Sequence, residues 1–181
     1  MKHIPNMLTL IRIVLIPFFA VYMLQGQYLQ AGIILVLSGL SDVLDGFLAR
    51  HFGWTTYLGR VLDPVADKLT QGTVCIVMSV LYPQYIVFFV VMIAKEVTML
   101  VMGGYLFKKG AEIEASRWFG KAATVVFYTA MVILVVFPQL QGMLVYALLG
   151  ITTALVLFAF VMYVPLFLQC FSRIQTEKGK D

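Results

Sequence analysis

The chain has 181 residues, of which 61% are hydrophobic and only 12% charged, and its mean hydropathy is +0.94. Soluble domains are roughly half apolar and a quarter charged, so this composition excludes a soluble globular fold and marks an integral membrane protein. The formal net charge of +4 does not point to nucleic acid, because the basic residues are scattered at the ends of apolar runs, where cytoplasmic loops carry Lys and Arg.

A spanning helix needs about 20 mostly apolar residues, and six segments qualify: 5–25, 29–50, 60–81, 84–107, 118–137 and 142–170. Lys2 precedes the first run, but Arg12 and Pro17 interrupt it and no small-x-small cleavage site is evident, so it reads as a retained helix. The connections alternate in character. "QGQYLQ" (25–30), "YPQY" (82–85) and "FPQLQG" (137–142) carry no charge, whereas "ARHFGWTTYLGR" (49–60), "KKGAEIEASRWFGK" (108–121) and the tail "SRIQTEKGK" (172–180) are basic. The positive-inside rule then places both termini in the cytoplasm. No linker, internal repeat or low-complexity tract divides the chain. The expectation is an all-α membrane protein, a single domain over 1–181, with a polar cavity open to the cytoplasm. Cys75 and Cys170 are isolated in apolar segments and read as buried thiols. His3 and His51 lie at membrane boundaries, and Trp54 and Trp118 read as interfacial anchors.

Against this apolar background, "SDVLDGFLARHFGWTTYLGRVLDPVADK" (41–68) carries four aspartates, Asp42, Asp45, Asp63 and Asp67. The first pair closes the second helix and the second pair opens the third, on the same side of the membrane. Asp42 and Asp45 are i, i+3 and Asp63 and Asp67 are i, i+4, so each pair occupies one helix face, and adjacent antiparallel helices can point both at one space. A bare carboxylate that far inside a helix end costs on the order of 3 kcal/mol, so something cationic must offset it. Carboxylates without His or Cys suit a hard divalent cation such as Mg2+ or Mn2+, and four can hold two ions that grip a diphosphate. The competing reading is ion pairing with Arg50, Arg60 and Lys68; two facing pairs beside surplus glycine favour chemistry. Gly32, Gly39, Gly46 and Gly53 recur every seven residues. Such a stripe equally serves close helix packing, but Gly46, next to Asp45, lets a flat group approach the backbone beside the metals.

These residues form the pattern D-x2-D-G-x2-A-R-x8-G-x3-D-x3-D, read here as Asp42, Asp45, Gly46, Ala49, Arg50, Gly59, Asp63 and Asp67. The chain resembles the CDP-alcohol phosphotransferase family, membrane enzymes that make phospholipid head groups. "IPNMLTLIR" (4–12) and "LDPVADK" (62–68) are similar to the corresponding stretches of its bacterial phosphatidylglycerophosphate synthases and cardiolipin synthases. The resemblance implies that Asp42, Asp45 and Asp63 ligate the metals, with Asp67 a further ligand and the general base. It implies that Gly46, Ala49 and Gly59 form the nucleotide pocket and that Arg50 holds a phosphate of CDP-diacylglycerol. It also implies a homodimer in the bacterial cytoplasmic membrane. The implied reaction is attack of an acceptor-alcohol hydroxyl on the lipid-bearing phosphorus of CDP-diacylglycerol, expelling CMP.

The acceptor must be chosen by residues outside the motif. Lys95 and Glu96 sit deep in the fourth helix, where ionisable groups are functional candidates, and a Lys95–Glu96 pairing is disfavoured because helix neighbours point about 100° apart. Arg117 and Lys121, at i, i+4, would form a cationic site for a phosphorylated acceptor if they face the cavity, or serve topology alone if they face lipid phosphates. Asn6, Thr9 and Arg12 share one side of the first helix and line the donor site, with snorkelling the competing reading for Arg12. Where phosphatidylglycerophosphate synthases usually have Ala-Arg-Glu, this chain has Ala94, Lys95 and Glu96, which keeps the charge and loses the bidentate fork. The first choice of acceptor is sn-glycerol 3-phosphate, followed by phosphatidylglycerol, giving cardiolipin, then inositol phosphate or serine. A cation transporter is the rival from another class, but neither inverted repeats nor broken helices are visible.

Overall fold

In a bilayer the backbone has no solvent partner for its N–H and C=O groups, so long apolar runs become helices, which satisfy those groups internally. The computed structural model of the protein describes residues 4–52, 57–109 and 118–178. They form six long helices: α1 (Ile4–Leu24), α2 (Tyr28–His51), α3 (Tyr57–Leu81), α4 (Ile86–Lys108), α5 (Trp118–Val136) and α6 (Met143–Lys178), with a 3-10 turn at Pro83–Tyr85. These bounds lie within three residues of the expected ones, except that α6 runs eight residues past the predicted end at 170. Pro17 does not break α1, nor Pro165 α6.

Five of the six, all but α3, are long and apolar enough to cross a membrane. Six spans were expected; α3 departs because Asp63, Asp67, Lys68 and Gln71 crowd its first half. The α1–α2 connection is a tight reversal. Gln27 N–H donates to Tyr22 C=O at 2.8 Å and Gly26 N–H to Met23 C=O at 3.1 Å, a Schellman closure that needs the left-handed φ of 73° Gly26 supplies. At the same end of the bundle, Gly142 N–H donates to the Tyr85 hydroxyl at 3.2 Å, tying the α5–α6 connection to the 3-10 turn.

The principal helix pairings are α1 with α2 and α3, α3 with α4, α4 with α6, α6 with α5, and α5 with α2. They close a ring in the order α1, α3, α4, α6, α5, α2. The sequence suggested that α2 and α3 are direct neighbours; instead α1 stands between them. A core of Phe19, Met23, Leu35, Met78, Phe89, Met131 and Leu149, each at most 3% exposed, fills the end away from the aspartates. The α2 glycines serve the α2–α5 seam: a methyl on Gly32 would lie 2.5 Å from Val136 Cγ2, and one on Gly39 would lie 3.5 Å from the Tyr128 ring. Close packing accounts for both positions.

Candidate active site

Because α1 lies between α2 and α3, the face of α1 carrying Thr9 and Arg12 decides how the aspartates are held. Both side chains are fully buried. Arg12 Nη2 donates to Asp45 Oδ2 at 2.5 Å, and Nη1 forms an ion pair with Asp42 Oδ1 at 2.8 Å. Thr9, one turn away on the same face, donates its hydroxyl to Asp63 Oδ1. One turn of α1 therefore engages both motif helices. The snorkelling alternative for Arg12 is overturned: the guanidinium points into the protein, where two carboxylates offset its desolvation. Asp45 is only 3% exposed whereas Asp42 is 35% exposed, so Asp42 is the open member of its pair.

Asp67 is held differently. Gln71, one turn on in α3, donates from Nε2 to Asp67 Oδ1 at 2.9 Å, and Lys68 Nζ lies 3.4 Å from Oδ2. Lys68 also reaches Glu96 of α4 at 2.6 Å, and Lys95 Nζ lies 2.5 Å from the other oxygen of Glu96. The sequence reading disfavoured a Lys95–Glu96 pair; the structure forms it. The four-carbon lysine stem swings far enough around the helix to cross the angle between neighbours, and Lys68 fixes the carboxylate that it meets. Glu96 thus gathers two ammonium groups beside Asp67.

The four aspartates share one electrostatic neighbourhood, Asp42 interacting with both Asp63 and Asp67. Among the described residues, no three His, Cys, Asp or Glu side chains stand close enough together to ligate one ion. The donor set nonetheless fits a divalent cation. It is all carboxylate oxygen, and the five described carboxylates exceed the three described cations, Arg12, Lys68 and Lys95, by two formal charges.

Gly59 is buried. The side chains of Asn6, Ala49 and Arg50, together with Gly46 and Arg117, lie outside the described residues, as do those of His3, His51, Trp54 and Arg60. Lys121 is exposed. The structure brings together Thr9, Arg12, Asp42, Asp45, Asp63, Asp67 and Lys95. It adds Gln71, which sequence reasoning did not name, together with Lys68, expected only as an ion-pair partner of the aspartates, and Glu96, named as a functional candidate without a role. The signal for Gln71 and Lys68 was their spacing from Asp67, i+4 and i+1; for Glu96 only its depth in α4.

Residues 2–164 match the CDP-alcohol phosphatidyltransferase family. The chain is 34% identical over 143 residues to a CDP-diacylglycerol–glycerol-3-phosphate 3-phosphatidyltransferase of Sodalis glossinidius, covering 76% of this chain and 79% of that protein. It is 29% identical over 124 residues to the enzyme of the same name from Aquifex aeolicus, covering 67% and 69%. It is also 36% identical over 129 residues to a CMP-forming cardiolipin synthase of Streptomyces coelicolor, covering 67% of this chain and 59% of that one. The eight-position motif, the aspartates gathered around α1 and the match over nearly the whole chain lead to one conclusion: this protein belongs to the CDP-alcohol phosphatidyltransferases, membrane enzymes of phospholipid biosynthesis.

Proposed function

We propose that the protein transfers the phosphatidyl group of CDP-diacylglycerol to sn-glycerol 3-phosphate, releasing CMP and forming phosphatidylglycerophosphate. The observation that carries the acceptor is the Lys68–Glu96–Lys95 cluster beside Asp67, which gathers two ammonium groups at the proposed base, where they suit the phosphate of a phosphorylated alcohol. Arg117 and Lys121 would add to that charge. The names of the Sodalis and Aquifex relatives support the same acceptor.

In this reading Asp67 is the general base. A hydroxyl is a poor nucleophile at neutral pH and needs a positioned base. Asp67 takes the acceptor's proton, the freed oxygen forms a bond to the lipid-bearing phosphorus, and the bond from that phosphorus to the CMP oxygen breaks with its electron pair leaving on CMP. Gln71 fixes the Asp67 carboxylate by its amide, and Lys68 holds the second oxygen. Asp42, Asp45 and Asp63, with Asp67, would hold one or two Mg2+ or Mn2+ ions. Bound there, the ions would supply charge neutralisation for the diphosphate and its leaving group. Asn6, Thr9, Gly46, Ala49, Arg50 and Gly59 would receive the donor, whose acyl chains stay in the bilayer. Six spans, cytoplasmic termini, a cytoplasm-facing cavity in a bacterial cytoplasmic membrane and a homodimer complete the reading.

The likeness to the Streptomyces protein favours a second reading, in which phosphatidylglycerol is the acceptor and cardiolipin the product. CMP release by purified protein decides between them, with CDP-diacylglycerol, Mg2+ or Mn2+, and glycerol 3-phosphate, phosphatidylglycerol, inositol phosphate or serine offered singly. Release that depends on glycerol 3-phosphate is the expected result; release only with phosphatidylglycerol transfers the assignment to cardiolipin synthesis, and no release with any acceptor overturns the reading.

A further inference from the structure

Tyr128, midway along α5, is the residue that the motif and the helix pattern leave unexplained. Its ring lies on Gly39 of α2, where a methyl would sit 3.5 Å from Cδ1, and it meets Phe127 edge-on at 5.8 Å between centroids. Thr70 of α3 lies beside its hydroxyl. Gly39 is three residues before Asp42, and Thr70 three residues after Asp67. At about 1.5 Å of rise per residue, both positions are about 4.5 Å from the aspartate level, on the side of the apolar core. The Tyr128 ring is thus a wedge from α5 beneath the carboxylates, a floor to the site.

The hydroxyl on that ring is buried, and no group among the described residues meets hydrogen-bond geometry with it. Its charged neighbours are Asp67, Asp42 and Arg12. Thr70 donates its own proton to Ala66 C=O at 2.9 Å, and its oxygen, though it keeps acceptor lone pairs, lies outside hydrogen-bond geometry with the tyrosine. A buried hydroxyl without a partner destabilises the folded protein, and the few that occur in native proteins call for an explanation. Arg12 has only donors and cannot receive the tyrosine proton. The adjoining cavity, lined by Leu15, Ile16, Ser38, Thr70 and Thr73 among others, has a volume of about 10 Å3, at the lower limit for one water.

We propose that Tyr128 is a reactant-binding residue whose hydroxyl donates a hydrogen bond to the attacking hydroxyl of the acceptor and holds it against Asp67. This rests on the proposed reaction, with Asp67 as base. The chemistry is complementary: the acceptor oxygen turns its one proton to Asp67 and keeps lone pairs free, and the neutral phenol is a donor that lacks an acceptor. No proton leaves Tyr128 in the step.

The test is Tyr128→Phe in the full-length protein, which keeps the ring on Gly39 and removes only the hydroxyl. CMP release is measured against the acceptor that the wild type uses, glycerol 3-phosphate or phosphatidylglycerol, and Tm is measured without substrates. The expected result is a fall of about tenfold in kcat/KM for the acceptor, carried by a raised acceptor KM, with the CDP-diacylglycerol KM within twofold of wild type. Tm stays level or rises, because an unpartnered polar atom has gone. Thr70→Val, made in parallel, leaves the acceptor KM within twofold. An unchanged acceptor KM in Tyr128→Phe overturns the proposal. So does a Tm several degrees lower with both substrate constants worsened together, which marks a structural bond to Thr70. An active wild type with an indifferent variant defeats Tyr128 alone; an inactive wild type defeats the reaction and this assignment with it.

Discussion

The α1–α3 corner and the α5–α6 pair draw on the same apolar stock, yet they are joined by different forces. In the corner, a guanidinium, a threonine, an amide and two lysines cross from helix to helix or brace neighbouring carboxylates. In the α5–α6 pair, Phe119 packs edge-on to Tyr163 at 4.8 Å between centroids, above Ala123, Val156 and Ala159. There Thr124 and Thr152 donate their hydroxyls to carbonyls of their own helices. The contrast teaches that the fold separates work: α1, α2, α3 and one carboxylate-lysine step of α4 hold charge, while α5 and α6 chiefly close the ring. Tyr128 is the point at which the second region enters the first.

The largest effects should come from the chemistry of the corner. Asp67→Asn keeps the shape and the Gln71 contact and removes the base, so CMP release should fall about a thousandfold while CDP-diacylglycerol binding, measured directly, stays close to wild type. Unchanged turnover would remove Asp67 from that role. Chelation of divalent ions should abolish release and Mg2+ or Mn2+ restore it; activity indifferent to chelator would mean that the surplus carboxylate charge serves another purpose.

Next is the bracing. Arg12→Met leaves the buried Asp45 and the more open Asp42 without their counter-ion, and the expected loss is about 3–5 kcal/mol in detergent unfolding. A variant as stable as wild type would show that the corner does not depend on its ion pairs. Glu96→Gln leaves two ammonium groups around a neutral amide, with an expected loss of about 1–3 kcal/mol and a raised acceptor KM. The smallest effects should come from the scaffold. Gly120→Ala drives a methyl into the Tyr163 hydroxyl, which must shift, so about 1–3 kcal/mol of stability is lost with kcat/KM within twofold of wild type. A larger catalytic than stability effect there would erase the division between the regions.

Much of the fold was legible because helix length follows from bilayer thickness. The four aspartates were legible because carboxylates in an apolar chain need a reason. Their partners were less so. Arg12 shares a face with Thr9, which the spacing shows, but which helix that face meets depends on the ring order, and nothing local in α1 encodes it. The α2 glycines read equally as site or seam until Val136 and Tyr128 are seen against Gly32 and Gly39. Lys95 and Glu96 misled because angular separation on a helix constrains Cβ atoms and not the tip of a lysine. Tyr128 had no signal, since one tyrosine in an apolar helix resembles any core aromatic.

Arg12 also bears on how the chain enters a membrane. Helix α1, synthesised before α2, carries a guanidinium near its middle, and alone in lipid that group costs about 2.5–3.5 kcal/mol. Its counter-ions, Asp42 and Asp45, are made 30 and 33 residues later and carry the same penalty until they meet it. Each helix therefore holds the other's missing charge, and the tight Gly26 reversal delivers the two as one hairpin. Insertion of α1 should be weaker alone than as the α1–α2 pair, and Arg12→Leu should remove that dependence. The ion pair that shapes the site thereby becomes a checkpoint in the protein's biogenesis.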